Sequence, residues 1–231
     1  MKIGNLALAA AMTATALVGT PLYATTFDDP VGDFLGTFTG PQNGDLDILF
    51  GSATFNSDYL LLSSTMNGAI GTTTGSLFLW GVDRGSGTER LITSGPPPVG
   101  PPGILLDAVV RFDADGTGRV VTFPTVGAPV TVLLDPSLIT ISGNTISGQI
   151  PRSLLPTTGF AFDDYSYIHW SRSLFGSQEF IADLAPDASS VTGTYVPEPA
   201  IWGLLLAGFG LAGAVLRRQR RTVLAKRTFA D

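Results

Sequence analysis

Two neighbouring stretches decide the fold class: Leu46-Asp47-Ile48-Leu49-Phe50-Gly51-Ser52-Ala53-Thr54-Phe55 and Tyr59-Leu60-Leu61-Leu62-Ser63-Ser64-Thr65-Met66. Both are short, rich in aromatic and aliphatic residues, and separated by three polar residues. Short apolar runs bounded by turn-forming residues are typical of β-strands, whereas helices need longer windows with a 3.6-residue period. We therefore predict two strands, from Leu46 to Phe55 and from Tyr59 to Met66.

The same pattern continues on both sides of this pair, over residues 25–195. Short apolar runs alternate with turn signals, and no long window shows helical periodicity. Seven further strands are predicted: Ser76 to Val82, Ile104 to Phe112, Arg119 to Phe123, Val130 to Leu134, Leu138 to Ile141, Thr145 to Ile150, and a stretch within Phe160 to Trp170. The pairs Asp115-Gly116 and Gly143-Asn144 mark two tight hairpins. Nine strands predict a mainly β fold, a single β-sandwich domain spanning residues 25–195.

The charge of this domain excludes one class of function. Residues 25–196 contain six arginines and no lysine against 17 acidic residues, a net charge of −11. Such a surface repels phosphate backbones, so we expect no nucleic-acid partner. The chain also has no cysteine, which excludes disulfides and thiol chemistry.

The N-terminus has the three parts of a secretory signal peptide. A charged start at Met1-Lys2 is followed by an apolar run from Leu6 to Val18 and by Pro21-Leu22-Tyr23-Ala24. The run is too short to span a bilayer stably, and it has no polar face that would suit a buried helix. Residues 1–24 are therefore predicted to be a signal peptide, read by the Sec export machinery and cut after Ala24.

The C-terminus reads as a membrane segment followed by a positive block. Residues 200–216 include no charged side chain, which is just long enough for a transmembrane helix. By the positive-inside rule, the cluster Arg217, Arg218, Arg220 and Arg221 should remain in the cytoplasm with the tail 222–231. Trp202 falls at the opposite end of the segment, where an indole ring favours the headgroup layer. The predicted topology anchors the chain in the inner membrane with the acidic domain outside.

Directly before this segment lies Pro197-Glu198-Pro199, which is biased toward extended geometry because proline fixes φ and lacks an N–H. Together with Trp202, the uncharged segment and the arginine block, it resembles the PEP-CTERM sorting signal over residues 196–221. The resemblance implies a cargo protein of a Gram-negative bacterium. Such a protein is anchored transiently in the inner membrane, cleaved by exosortase, a membrane-embedded cysteine protease, and delivered to the cell surface or extracellular matrix. The ten residues after the arginines depart from the usual pattern, and an ordinary, uncleaved membrane anchor is the alternative.

The exported domain has a looser resemblance of its own. Asp29-Pro30-Val31-Gly32-Asp33 near its start, Leu46-Asp47-Ile48, and Gln149-Ile150-Pro151-Arg152-Ser153-Leu154-Leu155 late in it are similar to DOMON-like and family 9 carbohydrate-binding-module-like β-sandwiches. The resemblance implies a sandwich fold and assigns no binding residues.

Two sets of side chains are candidates for binding. Five acidic residues within about twenty positions would offer carboxylate oxygens to Ca²⁺, which takes six to eight oxygen ligands; they are Asp28, Asp29, Asp33, Asp45 and Asp47. The alternative is that they occupy turns and strand faces. Four aromatic residues would form a platform on which sugar rings stack; they are Trp80, Tyr165, Tyr167 and Trp170. The alternative is the core face of a sheet.

The sequence shows no catalytic set. His169 is the single histidine, and no G-x-S-x-G elbow or H-E-x-x-H pair accompanies it. The neighbours Asp163 and Asp164 would point to opposite faces of a strand, which makes them a poor glycosidase pair. We therefore predict a non-enzymatic surface or matrix protein that contacts exopolysaccharide. A permanently anchored envelope protein and a secreted carboxylate-dependent hydrolase are the alternatives.

Overall fold

The computed structural model describes residues 22–174, 177–187, 189–192 and 194–196, and beyond them only 209, 210 and 217. The chain divides into two units, one of which, Pro21–Val196, is a β domain. Nearly all of the other unit, Met1–Thr20 with Pro197–Asp231, lies outside the described residues.

The β domain contains thirteen strands among the described residues. They are β1 (Leu22–Asp28), β2 (Ile48–Phe55), β3 (Tyr59–Met66), β4 (Leu77–Asp83), β5 (Ala108–Asp113), β6 (Gly118–Thr122), β7 (Val130–Leu133), β8 (Ile139–Ser142), β9 (Thr145–Pro151), β10 (Ser166–Arg172), β11 (Ile181–Ala185), β12 (Val191–Thr192) and β13 (Thr194–Val196). One helical turn, α1, spans Arg90–Thr93. Short 3-10 segments lie at Gly44–Leu46, Pro136–Leu138, Arg152–Leu154, Phe162–Asp164 and Gln178–Phe180.

The strands form two antiparallel sheets, which confirms the predicted mainly β fold. Sheet A has the strand order β13-β1-β2-β3-β9-β8. Sheet B has the order β11-β10-β4-β5-β6-β7, and β12 pairs with β10. Consecutive strands are often neighbours, as in β2-β3 and β4-β5-β6-β7, whereas β13-β1, β3-β9 and β10-β4 pair chain segments that are far apart in sequence.

The main core lies between the two sheets. Sheet A contributes inward side chains such as Leu60 and Ile146, and sheet B contributes Trp80 and Phe112, all fully buried. The Trp80 indole N–H donates to the Ser64 hydroxyl at 3.1 Å, so the one polar atom of this side chain finds an acceptor on the facing sheet. The two sheets therefore make a sandwich around one apolar layer.

Sheet B carries a second, smaller apolar cluster on its outer face. Outward side chains of β4 and β10, among them Leu79 and Trp170, are covered by the long connection between β4 and β5, which includes α1 and contributes Leu91 and Leu106. This arrangement covers β4 on both faces, which explains why every one of its residues is buried.

A buried ion pair fixes this covering connection at both of its ends. Arg84 donates to Asp107 at 2.8 Å and to the Pro156 carbonyl at 2.9 Å. Burial alone would raise the pKa of Asp107, but hydrogen bonds from Thr158, Arg84 and Ser86 outweigh it and lower the pKa. Because a buried pair is stable only when its remaining hydrogen bonds are satisfied, this network holds the loop in one position.

The predicted hairpins are present, with one difference in turn chemistry. Gly116 and Gly143 adopt φ angles of +83° and +60°. No residue other than glycine has positive φ in the described part of the chain, so Asn144 follows Gly143 with negative φ, as in a II′ turn. The Asn144 side chain instead donates to the Met66 carbonyl at 2.6 Å and ties the hairpin to β3.

Two predicted segments, the transmembrane helix and the signal peptide, lie largely outside the described residues. No helix within the described part is long and apolar enough to cross a membrane, and the predicted transmembrane segment 200–216 falls outside that part except for Phe209 and Gly210. Most of the predicted signal peptide also lies outside it, but β1 begins at Leu22 and so includes the last three residues of that segment. The signal peptide and the membrane helix thus remain predictions.

Candidate functional site

Three carboxylates from two distant parts of the chain meet beside the start of β2. Asp29 follows β1, Asp33 lies in the next turn, and Asp183 is in the middle of β11. Each offers an oxygen within 4.8 Å of the others. The turn is held against the strand because the Leu35 N–H donates to the Ala182 carbonyl at 2.8 Å.

Hydrogen bonding leaves part of this carboxylate cluster unsatisfied. Asp183 accepts from the backbone N–H groups of Ile48 at 2.7 Å and Leu184 at 2.8 Å. One oxygen of Asp29 and both oxygens of Asp33 are shielded from solvent, and no donor among the described residues reaches them. A buried carboxylate without donors is costly when it is ionised.

Burial and mutual repulsion shift the titration of all three groups. Burial, followed by the negative charge of Asp183, raises the pKa of Asp29 to about 8. Burial also raises the pKa of Asp183 to about 7, against the effect of its two backbone hydrogen bonds. The pKa of Asp33 is raised as well, by burial and by the nearby Asp187. The cluster therefore either retains protons near neutral pH or is neutralised by a cation, and three carboxylates would supply part of a Ca²⁺ shell.

Of the five acidic residues predicted to bind Ca²⁺, the structure brings together two, Asp29 and Asp33. Asp45 is fully buried and accepts from the Thr73 N–H at 2.8 Å and from its hydroxyl at 2.6 Å. Asp47 accepts from the Gly32 N–H at 3.0 Å and from the Asn67 amide at 2.9 Å. Asp28 is exposed. Asp45 and Asp47 therefore fit the alternative interpretation, in which their carboxylates accept hydrogen bonds that fix turns.

The predicted aromatic platform is wrong for three of its four members. Trp80, Tyr165 and Tyr167 are fully buried in the core between the sheets, where no sugar ring can reach their faces. The alternating pattern arose because these side chains pack inward, as the core-face alternative proposed. Trp170 differs, since it lies on the outer face of sheet B and is 4% exposed.

The structure also shows where the residues considered for hydrolysis lie, namely His169, Asp163 and Asp164. His169 is fully buried, stacks on Trp80 with a centroid distance of 4.7 Å, and bonds through Nδ1 to the Leu79 carbonyl at 2.8 Å. Burial lowers the pKa of His169 to about 4, so the ring is neutral and its Nδ1–H is the donor. Asp163 and Asp164 belong to a 3-10 turn that precedes β10, not to the strand.

The predicted sorting motif follows the last strand without a linker. Val196 ends β13, which pairs with β1 at the edge of sheet A. The motif residues Pro197, Glu198, Pro199 and Trp202 lie outside the described residues, as do Arg218, Arg220 and Arg221. Arg217 is exposed.

An acidic two-sheet domain joined directly to a proline-flanked glutamate, an uncharged segment and an arginine block defines a class: exported proteins that carry a C-terminal sorting tail. Residues 196–221 match the family model of the PEP-CTERM protein-sorting motif, so the chain carries this sorting motif. The motif implies export, membrane-associated sorting with processing by an exosortase, and then the cell surface. No curated protein and no solved structure matches the chain, so the resemblance of the domain to DOMON-like sandwiches stays a prediction.

Proposed function

We propose that this chain is a non-enzymatic protein of the cell surface or extracellular matrix, cut from its tail by an exosortase and retained by contact between its β domain and exopolysaccharide. The observation that carries the proposal is the sorting motif at residues 196–221. Sorting tails of this kind deliver a folded cargo, and the cargo here is a domain with its own core.

The junction between cargo and tail supports cleavage. The last paired residue of sheet A is Val196, and the proline-flanked glutamate begins at the next position. A peptidase that cuts in or beside this motif would act after Ala185, the last buried core residue among the side chains that the structure describes. A plain membrane anchor would have no need of this segment.

The absence of catalysis is supported by where the candidate groups lie. The His169 imidazole is fully buried and bonded to a backbone carbonyl, so it cannot take a proton from a substrate at the surface. Asp163 and Asp164 are sequence neighbours in one short turn and do not face each other across a cleft. The secreted-hydrolase alternative therefore loses the residues that suggested it.

Contact with exopolysaccharide is tested by co-sedimentation. The exported protein, recovered from the producing cells, is mixed with their own insoluble polysaccharide in buffers containing either Ca²⁺ or EDTA. We expect the protein to sediment with the polysaccharide in at least one of the two buffers, and soluble polysaccharide to compete it off. A protein that stays in the supernatant in both would overturn the binding half of the proposal and leave the sorting half standing.

A further inference from the structure

The outer face of sheet B holds a cavity of about 500 Å³ that is separate from the carboxylate cluster. Its floor is the row Trp170, Leu79, Arg111 and Arg119, which lie opposite one another on β10, β4, β5 and β6. The connection that carries α1 forms one wall. Cavities of roughly 300–1,000 Å³ are the usual size of small-molecule sites.

Positive charge is concentrated in this cavity. Although residues 25–196 carry a net charge of −11, four of their six arginines line it: Arg90, Arg111, Arg119 and Arg172. One carboxylate, Asp113, pairs with two of them, at 2.5 Å from Arg111 and 3.9 Å from Arg119. Four guanidinium groups therefore line the cavity, and two of them share the Asp113 carboxylate.

This concentration is not the arrangement that stability alone would favour. Arg111 and Arg119 are directly opposed across β5 and β6, and like charges at opposed positions destabilise a sheet. Burial, followed by the positive charge of Arg111, lowers the pKa of Arg172 to about 10. Both effects would be relieved by a negative charge in the cavity.

Three N–H donors of side chains that line the cavity also lack acceptors among the described residues. Arg90 Nε, Arg119 Nε and Trp170 Nε1 are shielded from solvent, and no acceptor among the described residues bonds to them. Trp170 is more than nine-tenths buried, and its indole nitrogen belongs to a side chain that lines the cavity. The Arg90 guanidinium lies 3.9 Å from the centroid of the Phe123 ring, which holds its plane in place. Buried donors without partners are rare in native proteins and call for a ligand or ordered water.

We propose that this arginine cavity binds an organic anion that carries a carboxylate on a ring with an apolar face. The arginine forks would donate to the carboxylate in bidentate geometry, and the aliphatic lining residues Leu79 and Val121 would cover the ring. Two sources share this chemistry: a free aromatic or alicyclic acid, and a uronic acid unit of a polysaccharide. The second source would give the proposed polysaccharide contact a defined place, but the anion site does not depend on that contact.

The test is calorimetric titration of the purified full-length chain, in an uncharged detergent, with 2-naphthoate and with its neutral match 2-naphthamide. We expect saturable one-to-one binding of the naphthoate and at least tenfold weaker binding of the amide. Tetragalacturonate is titrated in parallel to identify the source. Binding of both anions, or of either one, supports the site and assigns the source accordingly. No saturable binding of either anion, or equal binding of the amide, would overturn the proposal.

Matched arginine variants show whether binding occurs in this cavity. Arg119→Gln and Arg90→Gln are each expected to weaken anion binding at least fivefold. Arg152→Gln is the control, because Arg152 also stacks on a ring, 3.7 Å from the centroid of Phe162, but lies outside the cavity. Thermal unfolding of each variant verifies the fold. Equal weakening by the control and the cavity variants would contradict the assignment. Since co-sedimentation uses polysaccharide and this titration uses small anions, each can fail without the other.

Discussion

Asp29, Asp33 and Asp183 are the clearest case in which the fold, rather than the local sequence, sets the properties of single residues. Asp29 and Asp33 could be predicted as a pair because they lie four positions apart in a turn-rich segment. Asp183 could not, because it sits within an apolar run and reaches the pair only through the pairing of β11. A lone aspartate inside Ile-Ala-Asp-Leu-Ala was the available signal.

The raised pKa values predict how stability depends on pH. Below about pH 4 these carboxyls are protonated in both the folded and the unfolded chain, so they carry no penalty. As pH rises toward about 8, these carboxyls ionise freely in the unfolded chain but stay protonated to a higher pH in the folded one. Because the unfolded state releases its protons first, the folded state loses stability across that range. In EDTA, we expect Asp33→Asn to raise the free energy of unfolding at pH 8, because it removes a negative charge that repels Asp29 and Asp183. Little change is expected at pH 4.

Chemical denaturation at both pH values, on the full-length chain, measures this difference. Asp28→Asn is the matched control, because Asp28 is exposed and lies outside the cluster. If the cluster holds Ca²⁺, adding the ion at pH 8 stabilises the wild-type chain more than Asp33→Asn. Identical pH profiles for Asp33→Asn and the wild-type chain would show that the cluster carries no such penalty.

Among the elements, β3 has the bounds that the sequence predicts, Tyr59 to Met66, because its burial alternates along its length. The strands that sequence reasoning missed have identifiable causes. Every residue of β11 is buried, so it shows no alternation, and β12 and β13 have two and three residues. Strand β1 begins inside the segment assigned to the signal peptide.

The overlap between β1 and the signal peptide yields a prediction about the two ends of the domain. Strand β13 is registered with Leu22, Tyr23 and Ala24, the residues that cleavage after Ala24 removes. We therefore expect the exported protein to begin at Thr25 and the backbone amides of Thr194–Val196 to exchange hydrogen rapidly, because their partner strand is gone. In the uncleaved precursor the same amides should be protected.

N-terminal sequencing and hydrogen exchange followed by mass spectrometry check both parts. The pairing of β1 with β2 extends to Asp28 and provides the internal control, since its amides from Thr26 onward should stay protected in both forms. An N-terminus at or before Leu22, with protected Thr194–Val196, would mean that the sheet edge survives export and that the predicted cleavage point is wrong.

At the scale of the whole molecule, the sequence predicts features that are contiguous in the chain. It misses features that form only when distant residues come together in the fold. The sorting tail is a linear signal, read by an enzyme as a short peptide, and it is recognisable from residues 196–221 alone. The arginine cavity is a folded feature, since Arg90, Arg111, Arg119 and Arg172 come from a loop helix and three strands. In the sequence they appear only as scattered charges in an acidic domain.

The charge distribution of the domain bears on both the sorting tail and the arginine cavity. A net charge of −11 over residues 25–196 favours solubility, and four of the six arginines in that range line the arginine cavity. The predicted path is therefore export, transient anchoring by the tail, cleavage, and retention at the surface through the β domain.

The most direct test of this path is the intact mass of the protein recovered from cells with and without their exosortase. With the enzyme, we expect the chain to end near Pro197 to Pro199, and without it to retain Asp231. The variant Glu198→Ala in enzyme-containing cells should resemble the enzyme-free case. Recovery of a chain ending at Asp231 from cells that have the enzyme, or of the same shortened chain from cells that lack it, would contradict the account.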